Sequence, residues 1–282
     1  METSDGLVPQ SLGERMKTYE KEEYIDNQNA WLVRLDGKTF SSFTSQFEKP
    51  FDTRFTKAMV LTLNQMMLFL NPSCGFVCSD EITLVFPPIY GKMTEHYSSG
   101  RKNKIATVCA GKCSTYFILN LMKILKDENN EAMLNYVINS APCFDARIIE
   151  IPANNLVEVC NNLLWRSLYD CRRNTVSSYG RHLLGKKGTQ NKNGTQMIEL
   201  MKEKGFDFDS LEIYKVYGVY AKFKEVPFKN EHGEFTRNTV FNFECIIKAS
   251  QQMTDFVLNP KSLSPDELKA ASTDLSLTEI FL

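Results

Sequence analysis

The chain has 282 residues, of which 43% are hydrophobic and 24% are charged, with 14 Gly and 10 Pro. This composition is that of an ordinary globular protein and excludes a disordered or fibrous chain. The 33 Lys and Arg nearly balance the 34 Asp and Glu, which excludes a protein that attracts polyanions through its overall field.

Any affinity for a polyanion must therefore come from local patches, and the sequence contains two candidates. Seven basic residues and one acid lie between Gly91 and Lys126, and nine basic residues and three acids lie between Arg166 and Lys204. Both stretches are candidate phosphate-binding surfaces.

The cellular setting is inferred from what the sequence lacks. Its first residues contain neither a basic stretch nor an apolar segment, and no uninterrupted apolar run reaches about 18 residues. We expect a cytoplasmic protein without a membrane partner, and a role in an organelle stays open. The eight cysteines are expected to be reduced thiols, although the pairs Cys74/Cys78 and Cys109/Cys113 leave a zinc site as a less favoured alternative.

The first half of the chain has the element order of a palm. An apolar strand over residues 30–35 ends at a turn, Asp36-Gly37, and a helix with one apolar face follows over residues 53–70. Two β segments come next, at 74–79 and 82–86, then a helix over 104–126 and a strand over 145–151. The order predicts an α+β fold with a ferredoxin-like βαββαβ core.

The second half is predicted to add helices and one hairpin. Residues 154–179 and 195–204 are typical of helices separated by a loop at 180–194, and residues 212–223 and 238–248 are typical of paired strands. We expect a palm-like catalytic domain over 16–152, a helical and hairpin part over 153–250, and a polar, partly disordered tail over 251–282.

Three carboxylates stand in apolar strand contexts. Asp36 ends the first strand, and Asp80-Glu81 interrupts the apolar pair that follows. Buried carboxylates are costly unless they are paired or bind a cation, and two Asp with the Gly37 carbonyl make an all-oxygen site suited to Mg²⁺. Because neighbouring strand residues point to opposite faces, we predict Asp80 as the ligand and Glu81 as its support. A plain turn and a solvated hairpin tip are the alternative.

Basic residues accompany these acids. Lys49 follows the first strand, while Arg101, Lys102, Lys104 and Lys112 open the second long helix, where a triphosphate would find positive charge and unpaired N–H groups. A solvated helix face is the alternative interpretation.

Several short motifs, in this order, resemble the tRNA(His) guanylyltransferase family and its guanylyltransferase-like relatives. They are VRLDGKTF at 33–40, FEKPFD at 47–52, SDEI at 79–82, FDAR at 144–147 and LWR at 164–166. The resemblance implies a palm that extends RNA in the 3′-to-5′ direction, using two Mg²⁺ ions. In this family the 5′-monophosphate is activated with ATP, or an existing 5′-triphosphate is used.

The resemblance also implies roles for single residues. Asp36, Asp80 and the Gly37 carbonyl would bind the metal ions, and Glu81 would support them. The remaining residues expected to contact ATP, GTP or another nucleoside triphosphate are Lys38, Thr39, Phe40, Ser41, Lys49, Ser79, Arg101 and Lys104. The family further implies a homotetramer built as a dimer of dimers.

One departure bears on the substrate. Family members that add a guanosine to tRNA(His) carry a His-Ile-Asn-Asn motif where this chain reads CRRNT at 171–175. The difference resembles the branch that repairs 5′-truncated tRNA, so we predict templated addition, with guanosine addition to tRNA(His) as the alternative. The residues expected near the RNA or its activated 5′ end are Arg147, Arg172, Arg173, Asn174, Lys186 and Lys187.

Two other functions fit the same acids. A nucleotidyl cyclase also uses a palm with two metal-binding Asp, but it would not need the basic stretch from Arg166 to Lys204. A silent RNA-binding protein would not need Asp36, Asp80 and Glu81.

Overall fold

The computed structural model describes residues 11–91, 95–230 and 233–281. The strands are β1 (Ala30–Gly37), β2 (Cys74–Cys78), β3 (Glu81–Phe86), β4 (Phe144–Ile151), β5 (Val219–Asn230), β6 (Gly233–Glu244) and β7 (Thr278–Ile280). The helices are α1 (Leu12–Lys17), α2 (Phe40–Phe43), α3 (Thr53–Leu70), α4 (Lys102–Asp127), α5 (Glu131–Ser140), α6 (Val157–Leu164), α7 (Arg172–Thr189), α8 (Gly194–Glu203), α9 (Ile213–Tyr217), α10 (Gln251–Leu258) and α11 (Pro265–Asp274). A π-helical segment (Trp165–Cys171) joins α6 to α7.

The strands form one antiparallel sheet in the order β4-β1-β3-β2-β5-β6-β7. The first four strands, with α3 and α4, make the predicted βαββαβ palm, and the α+β class is confirmed. The C-terminal hairpin adds to the β2 edge of the same sheet, where Gly75 pairs with Ala221.

Helices cover both faces of the sheet. Along β1, Val33 and Leu35 belong to the core that contains residues of α3 and α4, whereas Leu32 belongs to the core that contains residues of α6 and α10. This alternation follows from the two-residue period of a strand. The even-numbered residues Arg34 and Asp36 therefore lie on the α6 face.

Local signals fix the elements around the end of β1. The Asp52 side chain accepts hydrogen bonds from the Arg54 and Phe55 N–H groups and begins α3, while Asn71 ends that helix at a left-handed φ of 50°. Two residues, Ser79 and Asp80, join β2 to β3, and Ser79 also has a φ of 50°. This tight turn brings Asp80 to the end of the sheet where β1 stops.

Several predicted boundaries after residue 150 were wrong. The loop expected at 180–194 is helical as far as Thr189, with an interruption at Gly185, where φ is 73°. The hairpin strands begin at Val219 and end at Glu244, and residues 213–217 form α9 instead of strand. Residues expected to form a polar tail contain α10, α11 and β7.

A buried lysine anchors this C-terminal segment to the palm. Lys222 is fully buried, and its Nζ donates hydrogen bonds to the carbonyl oxygens of Ser73 at 2.8 Å, Phe256 at 2.8 Å and Asn259 at 3.0 Å. Burial lowers the pKa of Lys222 to about 8. All three ammonium hydrogens have an acceptor. Their hydrogen bonds connect the residue before β2 to the end of α10.

Three further features concern a buried histidine, the cysteines and the apolar helix α4. His96 is buried, and its Nδ1 accepts a hydrogen bond from Trp31 Nε1 at 3.1 Å. All eight cysteines are free. By length and composition alone α4 is apolar enough to cross a membrane, but long core helices share this property, and α4 buries Ile105 and Phe117 in the palm core.

Candidate active site

Three acidic residues meet in one row across the sheet. Asp36 in β1 is paired directly with Glu81 in β3 on one side and with Asp145 in β4 on the other. Residues directly opposite in antiparallel strands share a face. All three carboxylates therefore project from the α6 face of the sheet.

Asp80 lies beside this row because it belongs to the turn between β2 and β3. The Gly37 N–H donates to the Asp80 carbonyl at 3.0 Å, and the Ser79 hydroxyl donates to the Asp80 carboxylate at 3.1 Å. The strand alternation used to separate Asp80 from Glu81 does not apply, since Asp80 is outside β3. Both residues can therefore stand near Asp36.

The carboxylates perturb one another. Burial raises the pKa of Asp80, and the charge of Asp36 raises it further. Burial also raises the pKa of Glu81 to about 8, helped by Asp36, Asp170 and Asp80 and opposed by Arg34. These acids lie close enough to repel one another in a partly desolvated place.

This arrangement fits a divalent cation. Among the described residues, no hydrogen bond or ion pair neutralises the Asp36 carboxylate. No group of three His, Cys, Asp or Glu side chains among them could enclose a metal ion, so a cation here would need other ligands as well. Mg²⁺ is commonly bound by one or two carboxylates, with waters and substrate phosphates as the other ligands. Asp36, Asp80 and the Gly37 carbonyl are the groups that would hold it.

Glu81 is held from two directions by arginines. Its carboxylate lies 3.6 Å from Arg34 Nε and 3.3 Å from Arg166 Nε, and all three side chains are largely buried. Arg166 belongs to the π-helical segment, whereas Arg34 precedes Asp36 by two residues on the same face of β1. Two cations thus flank the carboxylate that faces Asp36.

The close approach of the Phe40 ring leaves no room for a side chain at position 37. A Cβ at Gly37 would lie 2.5 Å from the ring of Phe40, which packs in the core against Phe43 and Phe117. The predicted nucleotide-binding residue Phe40 therefore has a buried ring, while Lys38, Thr39 and Ser41 around it are exposed.

Two adjoining cavities open between this end of the sheet and α7. One, of about 200 Å³, runs between α3 and α9 and includes Phe51, Tyr179 and Tyr214 in its wall. The second is the wider cleft that contains Asp80. Both are lined by Thr44, Lys49, Phe55, Ser79, Asn174 and Ser178.

The residues predicted to contact phosphate or RNA are only partly brought together. Lys49 and Asn174 line the cleft, and Arg147, 60% exposed, lies two residues after Asp145 on the same sheet face. Arg173 pairs with Asp170, whereas the Arg172 guanidinium lies 5.7 Å from the ring of Phe208. Lys186 lines a concavity that adjoins the cleft at Arg181, and Lys187 is exposed.

Arg101 and Lys104 lie at the other end of the sheet. Their neighbour Lys102 pairs with Glu150 at 2.6 Å, and Glu150 is registered opposite Trp31. Trp31 precedes Asp36 by five strand residues, which corresponds to roughly 17 Å. Within one chain these two cations therefore do not reach the carboxylates.

The structure adds cleft residues that the sequence interpretation missed. Ser177, Arg181 and His182 line the cleft beside Asn174 and Ser178. Their three- and four-residue spacing places them on one face of α7. This spacing was a usable signal, but the loop predicted at 180–194 removed Arg181 and His182 from the helix.

The comparisons with known proteins found related sequences. The sequence model of the tRNAHis guanylyltransferase family matches residues 13–152. An uncharacterized protein of Acanthamoeba polyphaga mimivirus is 31% identical over 92% of this chain and 93% of its own length. The tRNA(His) guanylyltransferase of Schizosaccharomyces pombe is 28% identical over 60% of this chain, and the match spans 59% of that enzyme.

Solved structures share the fold. A bacterial tRNA(His) guanylyltransferase-like protein in complex with ATP superposes with a TM-score of 0.65 and 24% identity, over 82% of this chain and 91% of that one. The tRNA(His) guanylyltransferase of Saccharomyces cerevisiae has a TM-score of 0.63 and 21% identity, over 86% of this chain and 99% of that one. These structures show the shared fold, and the sequence matches show that the chain belongs to the tRNA(His) guanylyltransferase family.

Proposed function

We propose that this protein is a template-dependent 3′-to-5′ nucleotidyltransferase that adds nucleotides to the 5′ end of truncated tRNA. One observation carries the proposal. Asp80, whose pKa is raised by burial and by the nearby Asp36 carboxylate, lines a cleft whose opposite wall is a polar face of α7. Such a site suits the transfer of a nucleotide onto a phosphorylated RNA end.

The residues of the site are suited to bind metal ions, phosphates and a nucleobase. Asp36, Asp80 and the Gly37 carbonyl would hold two Mg²⁺ ions, which when bound stabilise the charge that develops on the attacking and leaving oxygens of phosphoryl transfer. Lys49 and Ser79 would orient phosphates between the two cavities. The aromatic wall formed by Phe51 and Tyr214 suits a nucleobase.

Nucleoside triphosphates are the expected small substrates. A bacterial relative has been solved in complexes with ATP and with GTP. By analogy, ATP would activate a 5′-monophosphate, or the RNA would arrive with a 5′-triphosphate. Activation by ATP would transfer AMP to the 5′-monophosphate and release pyrophosphate. The 3′-hydroxyl of the incoming nucleotide would then attack the 5′ phosphorus of the RNA and expel AMP from the adenylylated end, or pyrophosphate from a triphosphate end.

The surface beyond the cleft favours RNA as the acceptor. Arg181 lines both the cleft and the adjoining concavity that contains Lys186, so positive charge continues past the space that one nucleotide would fill. A cyclase would have no use for this extension. Residues 171–175 lack the His-Ile-Asn-Asn motif of the guanosine-adding enzymes, which favours templated repair over guanosine addition.

The test is a 5′-extension assay on a tRNA that lacks its first nucleotide, with Mg²⁺, ATP and all four nucleotides. We expect extension by the parent, loss of at least about a hundredfold in Asp36→Asn and Asp80→Asn, and parental activity in the distant control Asp274→Asn. Extension should restore only the nucleotide that pairs with the opposing strand. Addition of one guanosine to intact tRNA(His) alone would favour the alternative substrate, and cyclic nucleotide alone would overturn the proposal.

We also propose a homotetramer, a dimer of dimers, in which Arg101 and Lys104 serve the site of a neighbouring copy. Their separation from Asp36 within one chain supports this arrangement. Mixing Asp36→Asn with a variant carrying Arg101→Ala and Lys104→Ala should restore part of the activity, because some sites would then be complete. A monomer in light scattering, or no restoration after mixing, would refute the shared site.

A further inference from the structure

A row of alternating basic and acidic side chains connects the surface of α7 to the carboxylate site. Arg173 Nη2 donates to Asp170 at 2.8 Å, and the other oxygen of Asp170 accepts from Arg166 Nη1 at 2.6 Å. Arg166 Nε lies 3.3 Å from Glu81, which Arg34 approaches from the far side at 3.6 Å. Five side chains thus span the distance from solvent to the carboxylate opposite Asp36.

Only the outer end of this row is open to a ligand. The Arg173 side chain is 73% exposed, whereas those of Arg166 and Glu81 are 10% and 11% exposed. An exposed ion pair contributes little, so a phosphate can compete for Arg173 at small cost. The buried members have no such competitor, because a ligand in solvent does not reach them.

The contacts that the two arginines make with Glu81 are longer than those that Asp170 makes with Arg166 and Arg173. Arg34 Nε, Arg166 Nε and Glu81 Oε1 are buried without a hydrogen bond among the described residues, although the bonds of Asp170 are short. Arg166 therefore holds Asp170 more tightly than it holds Glu81. A change in the charge balance at Asp170 would therefore alter the Arg166–Glu81 contact before the Arg166–Asp170 bond.

The backbone beneath these side chains is fixed. Arg166 stacks on Trp165, with its guanidinium carbon 4.1 Å from the ring centroid, and the Ser167 hydroxyl donates to the Tyr217 carbonyl at 2.7 Å. Their segment is π-helical, a rare geometry that is often found at functional sites. A response to a ligand would therefore run through side chains and not through movement of the helix.

We propose that Asp170 is a positioning residue through which RNA docking at Arg173 controls Glu81. When an RNA phosphate engages Arg173, Asp170 loses one of its two cations and draws Arg166 closer. The Arg166 contact to Glu81 then weakens, and Glu81 turns toward Asp36 and the cation site. The identity of the ligand as RNA rests on the proposed function, whereas the coupling rests on these contacts.

Coupling between two binding sites is reciprocal and measurable. We would titrate Mn²⁺ into the full chain with and without a saturating 5′-phosphorylated tRNA transcript, using Asp36→Ala to subtract the Mn²⁺ that the RNA binds. The parent should bind Mn²⁺ with an affinity that RNA changes by about fivefold or more. In Asp170→Asn this ratio should fall to about one, while RNA affinity stays within about twofold of the parent.

Two further variants complete the test. Arg173→Gln changes an exposed side chain, so it should fold normally, and it should also abolish the RNA effect on Mn²⁺. Arg172→Ala is the matched control: it removes a neighbouring cation outside the row, and it should leave the ratio unchanged whatever it does to RNA affinity.

An unchanged ratio in Asp170→Asn and Arg173→Gln would overturn the proposal, as would a parent whose Mn²⁺ affinity does not respond to bound RNA. These outcomes are distinguishable from failure of the proposed function. Coupling without 5′ extension would refute only the reaction, and extension with coupling that ignores Asp170 would refute only the positioning role.

Discussion

The raised pKa of Glu81 predicts how stability should depend on pH in the absence of a divalent cation. Burial moves this pKa from 4.5 to about 8. The folded protein thus binds a proton that the unfolded chain releases. The resulting stabilisation is complete below pH 4.5 and is lost as pH rises toward 8.

The size of the effect follows from the pKa difference. At about 1.4 kcal/mol per pH unit, the upper limit is roughly 5 kcal/mol. Relaxation and water penetration raise the effective dielectric of real interiors, so we expect a loss of about 2–4 kcal/mol between pH 5 and pH 8.5. Glu81→Gln, which carries no titrating proton, should lack this component.

The assay is urea unfolding in EDTA at several pH values for the parent, Glu81→Gln and Glu150→Gln. Burial works against ionisation of Glu150, but hydrogen bonds from Lys102 and the Asp26 N–H nevertheless lower its pKa. Its contribution is therefore constant over this range, and Glu150→Gln should keep the parental slope. Adding Mg²⁺ should flatten the slope of the parent. Equal slopes for the parent and Glu81→Gln would refute the reasoning.

Three other predictions concern the anchor, the turn before β5 and the RNA surface. Lys222→Met should cost roughly 2–4 kcal/mol in urea unfolding, because one buried carbonyl and two partly buried carbonyls lose their donor. Lys224→Met removes a partly exposed ion pair and should cost under about 1 kcal/mol. Similar losses in the two variants would refute the anchor. Gly218→Ala should lower the free energy of unfolding by roughly 3 kcal/mol or more, because the new Cβ would lie 2.6 Å from the Phe76 ring at a φ of 83°. The control Gly205→Ala has the same φ but open space around it, so it should cost about 1 kcal/mol. Arg181→Ala should reduce the slope of log Kd against log salt for tRNA by about one, and an unchanged slope would remove Arg181 from the RNA path.

The sequence by itself determined the palm and its acids. The two-residue and 3.6-residue periods of apolar residues carry enough information to specify β1, α3, the β2–β3 pair and α4, because these elements bury one face against the same core. The short motifs around Asp36 and Asp80 pointed to the family and its chemistry.

Only the tertiary structure decided what surrounds those acids. Glu81 faces Asp36 because of the register of β1 and β3, and Arg166 reaches Glu81 from about 85 residues away along the chain. The burial of Lys222 depends on carbonyls just before β2 and at the end of α10. The distance of Arg101 from Asp36 depends on the end of the sheet at which α4 begins. Local patterns specify elements, whereas registers, caps and ion pairs between distant segments exist only after the chain has packed.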